Sequence, residues 1–100
     1  MAKELAFVSY SEKLKDPRWQ KKRLKVLERD NWTCQSCFDF KDTLHIHHMV
    51  YDYRKEPWEY EDHLLVTLCA ECHGLAKGMT EQNAIMFNET LDIRIKHHGK

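Results

Sequence analysis

The most regular alternation of hydrophobic and polar positions lies between residues 16 and 29, where it repeats with the period of an α-helix. Asp16 is suited to cap this helix and Pro17 to occupy its first turn, so we predict a helix from about 17 to 29. Its apolar arc contains Trp19, Leu24, Val26 and Leu27. The opposite arc is a basic stripe made of Arg18, Lys21, Lys22, Lys25 and Arg29. Arg23 falls inside the apolar arc, which indicates a specific partner for its charge.

Two short runs further along the chain have the character of β-strands. Residues 43–48 alternate and carry β-branched side chains, and residues 64–68 are almost continuously apolar. A polar loop rich in aromatic residues separates them, over 49–62. A short helix is expected next, ending near Gly78, and Thr80 is suited to cap a last helix. One stripe of that last helix is apolar and contains Ala84, Phe87, Leu91 and Ile95.

This order of elements predicts a small α+β protein. We divide it into an N-terminal arm over 1–15, a domain over 16–78 and a C-terminal helix over 79–100 that packs on the domain. A chain of 100 residues buries a modest core, so a bound metal is a plausible contribution to its folding.

The formal net charge is zero, but the charges are distributed unevenly. Residues 1–33 hold nine Lys and Arg against five Asp and Glu, whereas residues 34–73 hold three against eight. The basic charge therefore precedes the cysteines, and the acidic charge lies between and around them. No apolar segment has the length of a secretion signal or a membrane span, so we expect a cytoplasmic protein without a membrane partner.

The four cysteines form two Cys-x-x-Cys pairs, Cys34 with Cys37 and Cys69 with Cys72. Four thiolates in two such knuckles suit one tetrahedral Zn²⁺ ion. Two disulfides are the alternative in a small secreted chain, but the paired spacing and the adjacent histidines favour zinc. We therefore predict one structural zinc site.

Three histidines lie close in sequence to these cysteines and are not needed to complete the zinc site. His47 and His48 form a doublet between the two knuckles, and His73 follows the last cysteine. Neighbours on a strand point to opposite faces, so His47 and His48 diverge. Cys72 and His73 diverge by about 100° on a helical turn, so one can face zinc while the other faces a second site. His45 lies on the face of His47 and is interpreted as its neighbour. Imidazoles of this kind suit a second metal and a general base.

The order of these motifs resembles the zinc-containing HNH endonucleases, whose treble-clef-like fold is called ββα-metal. The resemblance covers about residues 17–77. Its motifs are Arg29-Asp30-x-x-x-Cys34-x-x-Cys37, Leu44-His45-Ile46-His47-His48 and Leu65-Val66-Thr67-Leu68-Cys69-x-x-Cys72-His73. The combination is specific, although each motif alone would be weak.

The resemblance implies a phage or bacterial DNA endonuclease with a defined division of roles. His48 would be the general base, and His47 and His73 would hold a catalytic Mg²⁺, Mn²⁺ or Ni²⁺ ion. The four cysteines would hold structural Zn²⁺. Double-stranded DNA would be the partner, with the basic stripe (Arg18, Lys21, Lys22, Lys25 and Arg29) on its phosphates.

The chain departs from the family pattern at Leu64, where the family usually has an Asn that constrains the loop beside the base. Leu has no hydrogen-bonding group, so we consider Asp62 or His63 as the residue that orients the base instead. Lys77 stands where some relatives place a further histidine ligand. Two alternatives follow: a catalytically inactive zinc module that binds DNA or a protein partner, and a regulator of another nuclease that reuses the scaffold.

Overall fold

The computed structural model describes residues 9–50, 52 and 54–98, with the side chains of residues 97 and 98 excepted. Most of the predicted arm over 1–15 lies outside this range. The described residues form a small α+β fold with four α-helices and one two-stranded antiparallel sheet. The elements are α1 (Tyr10–Lys13), α2 (Pro17–Arg29), β1 (Leu44–His48), β2 (Leu65–Cys69), α3 (Ala70–Lys77) and α4 (Glu81–His98). Two 3-10 turns, Pro57–Glu59 and Asp62–Leu64, lie in the connection between the strands.

Helix α2 begins and ends where the sequence predicts. The Asp16 carboxylate accepts a hydrogen bond from the Arg18 amide at 2.8 Å, and Pro17 occupies the first turn. Trp19 and the pair Val26–Leu27 are buried, which confirms most of the apolar arc. Leu24 is 46% exposed and is therefore outside the core.

The two strands pair in an antiparallel register that sorts their side chains onto two faces. Ile46 lies opposite Thr67 and His48 opposite Leu65 on one face, while His47 lies opposite Val66 on the other. Because successive side chains alternate, the two members of the histidine doublet point away from each other, as predicted. All five residues of β2 are buried, so this strand lies inside the molecule with cover on both faces.

Each face of the sheet packs against its own hydrophobic cluster. The cluster beside α2 consists of Trp19, Val26, Leu27, Ile46, Tyr60 and Leu65. The cluster on the other side consists of Cys34, Val66, Leu68, Cys69, Cys72, Leu91 and Ile95. Leu91 and Ile95 come from α4, so the predicted apolar stripe of the last helix packs beside the cysteines.

A buried polar junction joins the end of α2 to strand β2. Asp30 is fully buried, and its carboxylate accepts from both arms of the Arg29 guanidinium at 2.8 and 2.9 Å. The same carboxylate accepts from the Thr67 amide at 2.9 Å. Arg29 also donates to the carbonyls of Asp62 and Leu65, both at 2.7 Å. These bonds fix the helix, the second 3-10 turn and β2 relative to one another.

In the part of the chain that the structure describes, no helix has both the length and the apolar character needed to cross a membrane.

Candidate metal centre and the histidine cleft

The four cysteines converge on one point, although they come from two distant segments. Their sulfur atoms all lie within 4.8 Å of one another, and the four thiols are free. The Sγ atoms of Cys37 and Cys69 are 3.7 Å apart. Four sulfurs bound at about 2.3 Å to one tetrahedral ion would be about 3.8 Å apart, so the spacing fits zinc. The cluster therefore has the chemistry and the dimensions to hold one metal ion.

Backbone amides around the cluster favour ionised sulfur. The amides of Ser36 and Cys37 donate to Cys34 Sγ at 3.4 and 3.5 Å, and the Cys72 amide donates to Cys69 Sγ at 3.4 Å. Burial disfavours the Cys34 thiolate, yet hydrogen bonds from the amides of Cys37, Cys69 and Ser36 and from the Cys37 side chain outweigh burial and lower the pKa of Cys34 to about 7. Burial raises the pKa of Cys72 to about 12, so this thiol ionises when a cation binds beside it.

The first knuckle is also held by α4. Arg94 donates through one guanidinium nitrogen to the Gln35 carbonyl at 2.6 Å and to the Ser36 carbonyl at 3.1 Å. Its guanidinium lies over the Phe38 ring, 5.0 Å from the centroid. Phe38 has φ 67°, a left-handed conformation that disfavours a bulky side chain, so these contacts keep a strained turn in place.

His48 is packed into the hydrophobic cluster beside α2. Its ring stacks on Trp19 with centroids 5.3 Å apart and meets the edge of Tyr60 at 4.7 Å. The carbonyl of Pro57, in the first 3-10 turn, accepts a hydrogen bond from the imidazole. Burial lowers the pKa of His48 below its ordinary value of 6.5, and the Pro57 carbonyl opposes this shift. The ring is therefore neutral at physiological pH and held in one orientation.

His47 lies on the opposite face of β1 and faces the helices that follow the sheet. Its Nε2 atom is 3.2 Å from Oδ1 of Asn88 in α4, and its ring meets His73 edge-on with centroids 5.8 Å apart. Burial lowers the pKa of His47, and the contact with Asn88 opposes that shift. A neutral imidazole is the form that binds metal ions.

His73 projects from the first turn of α3, one residue after Cys72 of the four-cysteine cluster. It stacks on His45 with centroids 5.2 Å apart. Burial, followed by the positive charge of Lys77 and the neighbouring imidazoles, lowers the pKa of His73 to about 4. Since Cys72 is a candidate metal ligand, metal binding at the cluster would fix the helix turn that carries His73.

A cleft of about 590 Å³ lies between α2, β1 and α3. His48 enters it from one face of β1 and His45 from the other, and His73 lines it from α3. Arg23 and Lys77 line it as well, and no carboxylate does among the described residues. The cleft thus combines imidazoles with two basic side chains, a composition that favours an anionic ligand. His47 does not line this cleft and reaches it only through its contact with His73.

Three residues that line the cleft, Arg23, His45 and Lys77, were not predicted from the sequence as components of a site. Arg23 did carry a signal, because a charge within the apolar arc of a helix needs a partner. Its guanidinium lies 3.5 Å from the Leu44 carbonyl and faces the cleft. Lys77 was noted only as a replacement for a histidine, and His45 only as a neighbour of His47. Their proximity depends on the packing of α3 against β1, which the local sequence does not encode.

The basic stripe lies on the side of α2 away from the cleft, and several of its members are engaged. Arg18 pairs with Asp16 at 2.9 Å and lies 4.1 Å above the Trp58 ring. Lys22 and Lys25 both pair with the Asp62 carboxylate. Arg29 is held inside the fold by the Asp30 junction, and Lys21 is exposed. The role of the stripe as a DNA contact stays a prediction.

The two residues considered for orienting His48 have other partners. The Asp62 carboxylate faces the lysines of α2, and His63 is exposed with Nδ1 3.4 Å from a Glu61 carboxylate oxygen. Leu64 packs against the cluster that contains Trp19, and its carbonyl accepts from the Met49 amide at 2.9 Å. The segment after His48 is therefore tied to Leu64 through backbone atoms.

Comparisons of the chain with protein-family models, with curated proteins and with solved structures find no match.

Proposed function

We propose that this protein is a divalent-metal-dependent DNA endonuclease of the zinc-containing ββα-metal type, as the HNH resemblance implies. The observation that carries the proposal is the cleft itself. It brings a buried neutral imidazole, His48, together with His73 and two positive charges, and it presents no carboxylate among the described residues. A phosphodiester, with its negative charge and its need for a base, fits this composition.

His48 has the features of a general base. Its hydrogen bond to the Pro57 carbonyl uses one ring nitrogen as donor, so in the neutral ring the other nitrogen carries the lone pair. That nitrogen would accept a proton from the water that attacks phosphorus, leaving a 5′-phosphate and a 3′-hydroxyl. Trp19 and Tyr60 keep the ring from rotating, which preserves the geometry for proton transfer.

His47 and His73 are the residues that would hold the divalent cation. Their rings meet at 5.8 Å, and burial keeps both neutral. Two imidazoles suit Ni²⁺ and Mn²⁺ better than Mg²⁺. When bound, such an ion supplies a Lewis acid for the phosphoryl oxygen and for the departing oxygen.

Arg23 and Lys77 would neutralise the phosphate that enters the cleft. They come from different helices on either side of β1, so together they can contact one backbone segment of the nucleic acid. Cys72 of the four-cysteine cluster directly precedes His73, so a metal ion bound by the cysteines would keep this turn of α3 in position.

The test is incubation of zinc-loaded protein with supercoiled plasmid and with an end-labelled duplex, in Mg²⁺, Mn²⁺, Ni²⁺ or EDTA. We expect metal-dependent nicking or cutting that EDTA stops, and products whose 5′-phosphate is removed by phosphatase. Products with 3′-phosphate ends would contradict the proposed direction of attack. A protein inert in every metal on single- and double-stranded DNA would contradict the endonuclease.

The second candidate is a non-catalytic zinc module that binds DNA or a protein partner. The observation that favours it is Leu64, whose half-buried side chain packs against the cluster that contains Trp19 and has no group to orient His48. Retained affinity for DNA without cleavage would support this candidate over the first.

A further inference from the structure

Asn88, in the middle of α4, makes two hydrogen bonds to the end of β1. Its Nδ2 atom donates to the Met49 carbonyl at 3.0 Å. Its Oδ1 atom lies 3.2 Å from His47 Nε2. One half-buried side chain of the C-terminal helix therefore contacts both a proposed metal ligand and the backbone immediately after the proposed base.

The hydrogen bond to Met49 determines which atom donates in the contact between Asn88 and His47. A carbonyl only accepts, so the amino group of Asn88 must face Met49 and the amide oxygen must face His47. The amide oxygen also only accepts, so the proton of the neutral His47 ring must be on Nε2. The lone pair is then on Nδ1. The Asn88 contact thus selects which nitrogen of His47 is available to a metal ion.

The same side chain completes the restraint on the residue after the doublet. Met49 donates its amide proton to the Leu64 carbonyl at 2.9 Å and accepts from Asn88 through its own carbonyl. Both backbone groups of Met49 are therefore bound, one to the strand connection and one to α4. Rotation of this peptide would displace His48, which directly precedes it.

We propose that Asn88 is a positioning residue of the site: it fixes the tautomer of His47 for metal binding through Nδ1 and holds the backbone after His48. This inference rests on the proposed function, because it assigns a purpose to the ligand and base named there. It also makes α4 a part of the site, although α4 lies outside the motifs that carry the family resemblance.

The test measures Ni²⁺ binding by calorimetry on zinc-loaded protein without DNA. All variants carry His97→Ala and His98→Ala, so that the terminal pair does not compete for the ion. Asn88→Ala removes both hydrogen bonds, and Asn88→Asp keeps the acceptor for His47 but loses the donor to Met49. The matched control is Asn83→Ala, an exposed asparagine in the first turn of the same helix.

We expect Asn88→Ala to weaken Ni²⁺ binding about 10- to 100-fold, the usual effect of removing the hydrogen-bond partner of a ligating histidine. Asn83→Ala should bind as the parent does, and Asn88→Asp should recover most of the loss. In a His47→Ala background, Asn88→Ala should weaken Ni²⁺ binding little further, because its effect on the metal passes through His47. Long-range ¹⁵N–¹H spectra of the parent should show the His47 proton on Nε2.

The inference is overturned if the His47 proton is on Nδ1 or if Asn88→Ala binds Ni²⁺ as the parent does. It is also overturned if Asn88→Ala weakens Ni²⁺ binding as much in the His47→Ala background as in the parent. Should Asn88→Ala fail to fold, the parent spectrum and Asn88→Asp decide the question. These measurements need no substrate. A protein that binds Ni²⁺ as expected but never cuts DNA would refute the proposed function alone.

Discussion

At the scale of single residues, burial decides what each polar group of this protein can do. His48 and Asp30 are both in the core, but they have opposite requirements. His48 is neutral and needs one acceptor, which Pro57 provides. Asp30 is surrounded by the Arg29 guanidinium and the Thr67 amide, which compensate a buried carboxylate. The sequence motif that contains Arg29 and Asp30 therefore has a structural explanation in this fold.

Replacement of Asp30 by Ala should destabilise the protein strongly. The change leaves the Thr67 amide and Nε of Arg29 without their acceptor and removes the carboxylate that balances the guanidinium charge, which costs on the order of 3 kcal/mol. Urea unfolding of zinc-loaded protein gives the free energy, with exposed Asp42→Ala as the control on charge. A loss below about 1 kcal/mol would show that the junction contributes little.

At the scale of elements, α2 presents two basic surfaces that face different directions. Arg23 faces the cleft with the histidines, whereas Lys21 and Lys25 lie on the stripe at the outer side of the helix. The periodicity of the sequence predicted the stripe, because an exposed face is visible from spacing alone. It could not predict that Arg23, in the apolar arc, lines the same cleft as Lys77 of α3, since that depends on tertiary packing.

The two surfaces can be separated by their effects on DNA binding. We expect the double variant Arg23→Gln, Lys77→Gln to bind duplex DNA more weakly. The slope of log affinity against log salt should become shallower by the amount that corresponds to about two phosphate contacts. Reversal of Lys21, Lys22 and Lys25 to Glu should also flatten the slope if the stripe contacts DNA. Fluorescence anisotropy from low to high salt measures both. An unchanged slope in the first variant would exclude these two residues as phosphate contacts.

At the scale of the whole molecule, two distant knuckles close a small fold around one candidate metal site. The cysteine spacing was sufficient to predict this cluster, because Cys-x-x-Cys pairs bind metal with few alternatives. The helices and strands followed from periodicity and caps such as Asp16 and Thr80. Asn88 gave no such signal, because one asparagine in a long amphipathic helix is ordinary until the helix is seen against β1.

Loss of zinc should unfold the protein. Cys72→Ser removes a buried ligand from a chain whose core is small, so we expect zinc content near zero and a flattened thermal transition. Elemental analysis and circular dichroism measure the two effects. Disulfides in freshly reduced protein, or a wild type that contains no zinc, would contradict the structural role of the cluster.

Acid should destabilise the fold through the buried histidines. The pKa of His73 is about 4 in the folded protein against an ordinary value of 6.5, and burial also lowers the pKa of His47 and His48. Between those two values the unfolded chain binds more protons, so the free energy of unfolding should fall as pH falls from 6.5 towards 4. Urea unfolding at several pH values, with bound zinc quantified in parallel, checks this. A stability that stays constant or rises over this window while zinc remains bound would contradict the depressed pKa values.

The role of His48 as general base is tested by the single-turnover rate of duplex cleavage in Mn²⁺ by wild type, His48→Ala and His48→Gln. His48 packs against Trp19 and Tyr60, and glutamine fills more of the space of its ring than alanine does. The glutamine variant therefore separates the loss of the base from the loss of packing. If His48 is the general base, the rate is at least about 100-fold lower in both variants, with zinc still bound, and His97→Ala cuts as the wild type does. Cleavage by a folded His48 variant at the wild-type rate would contradict that role.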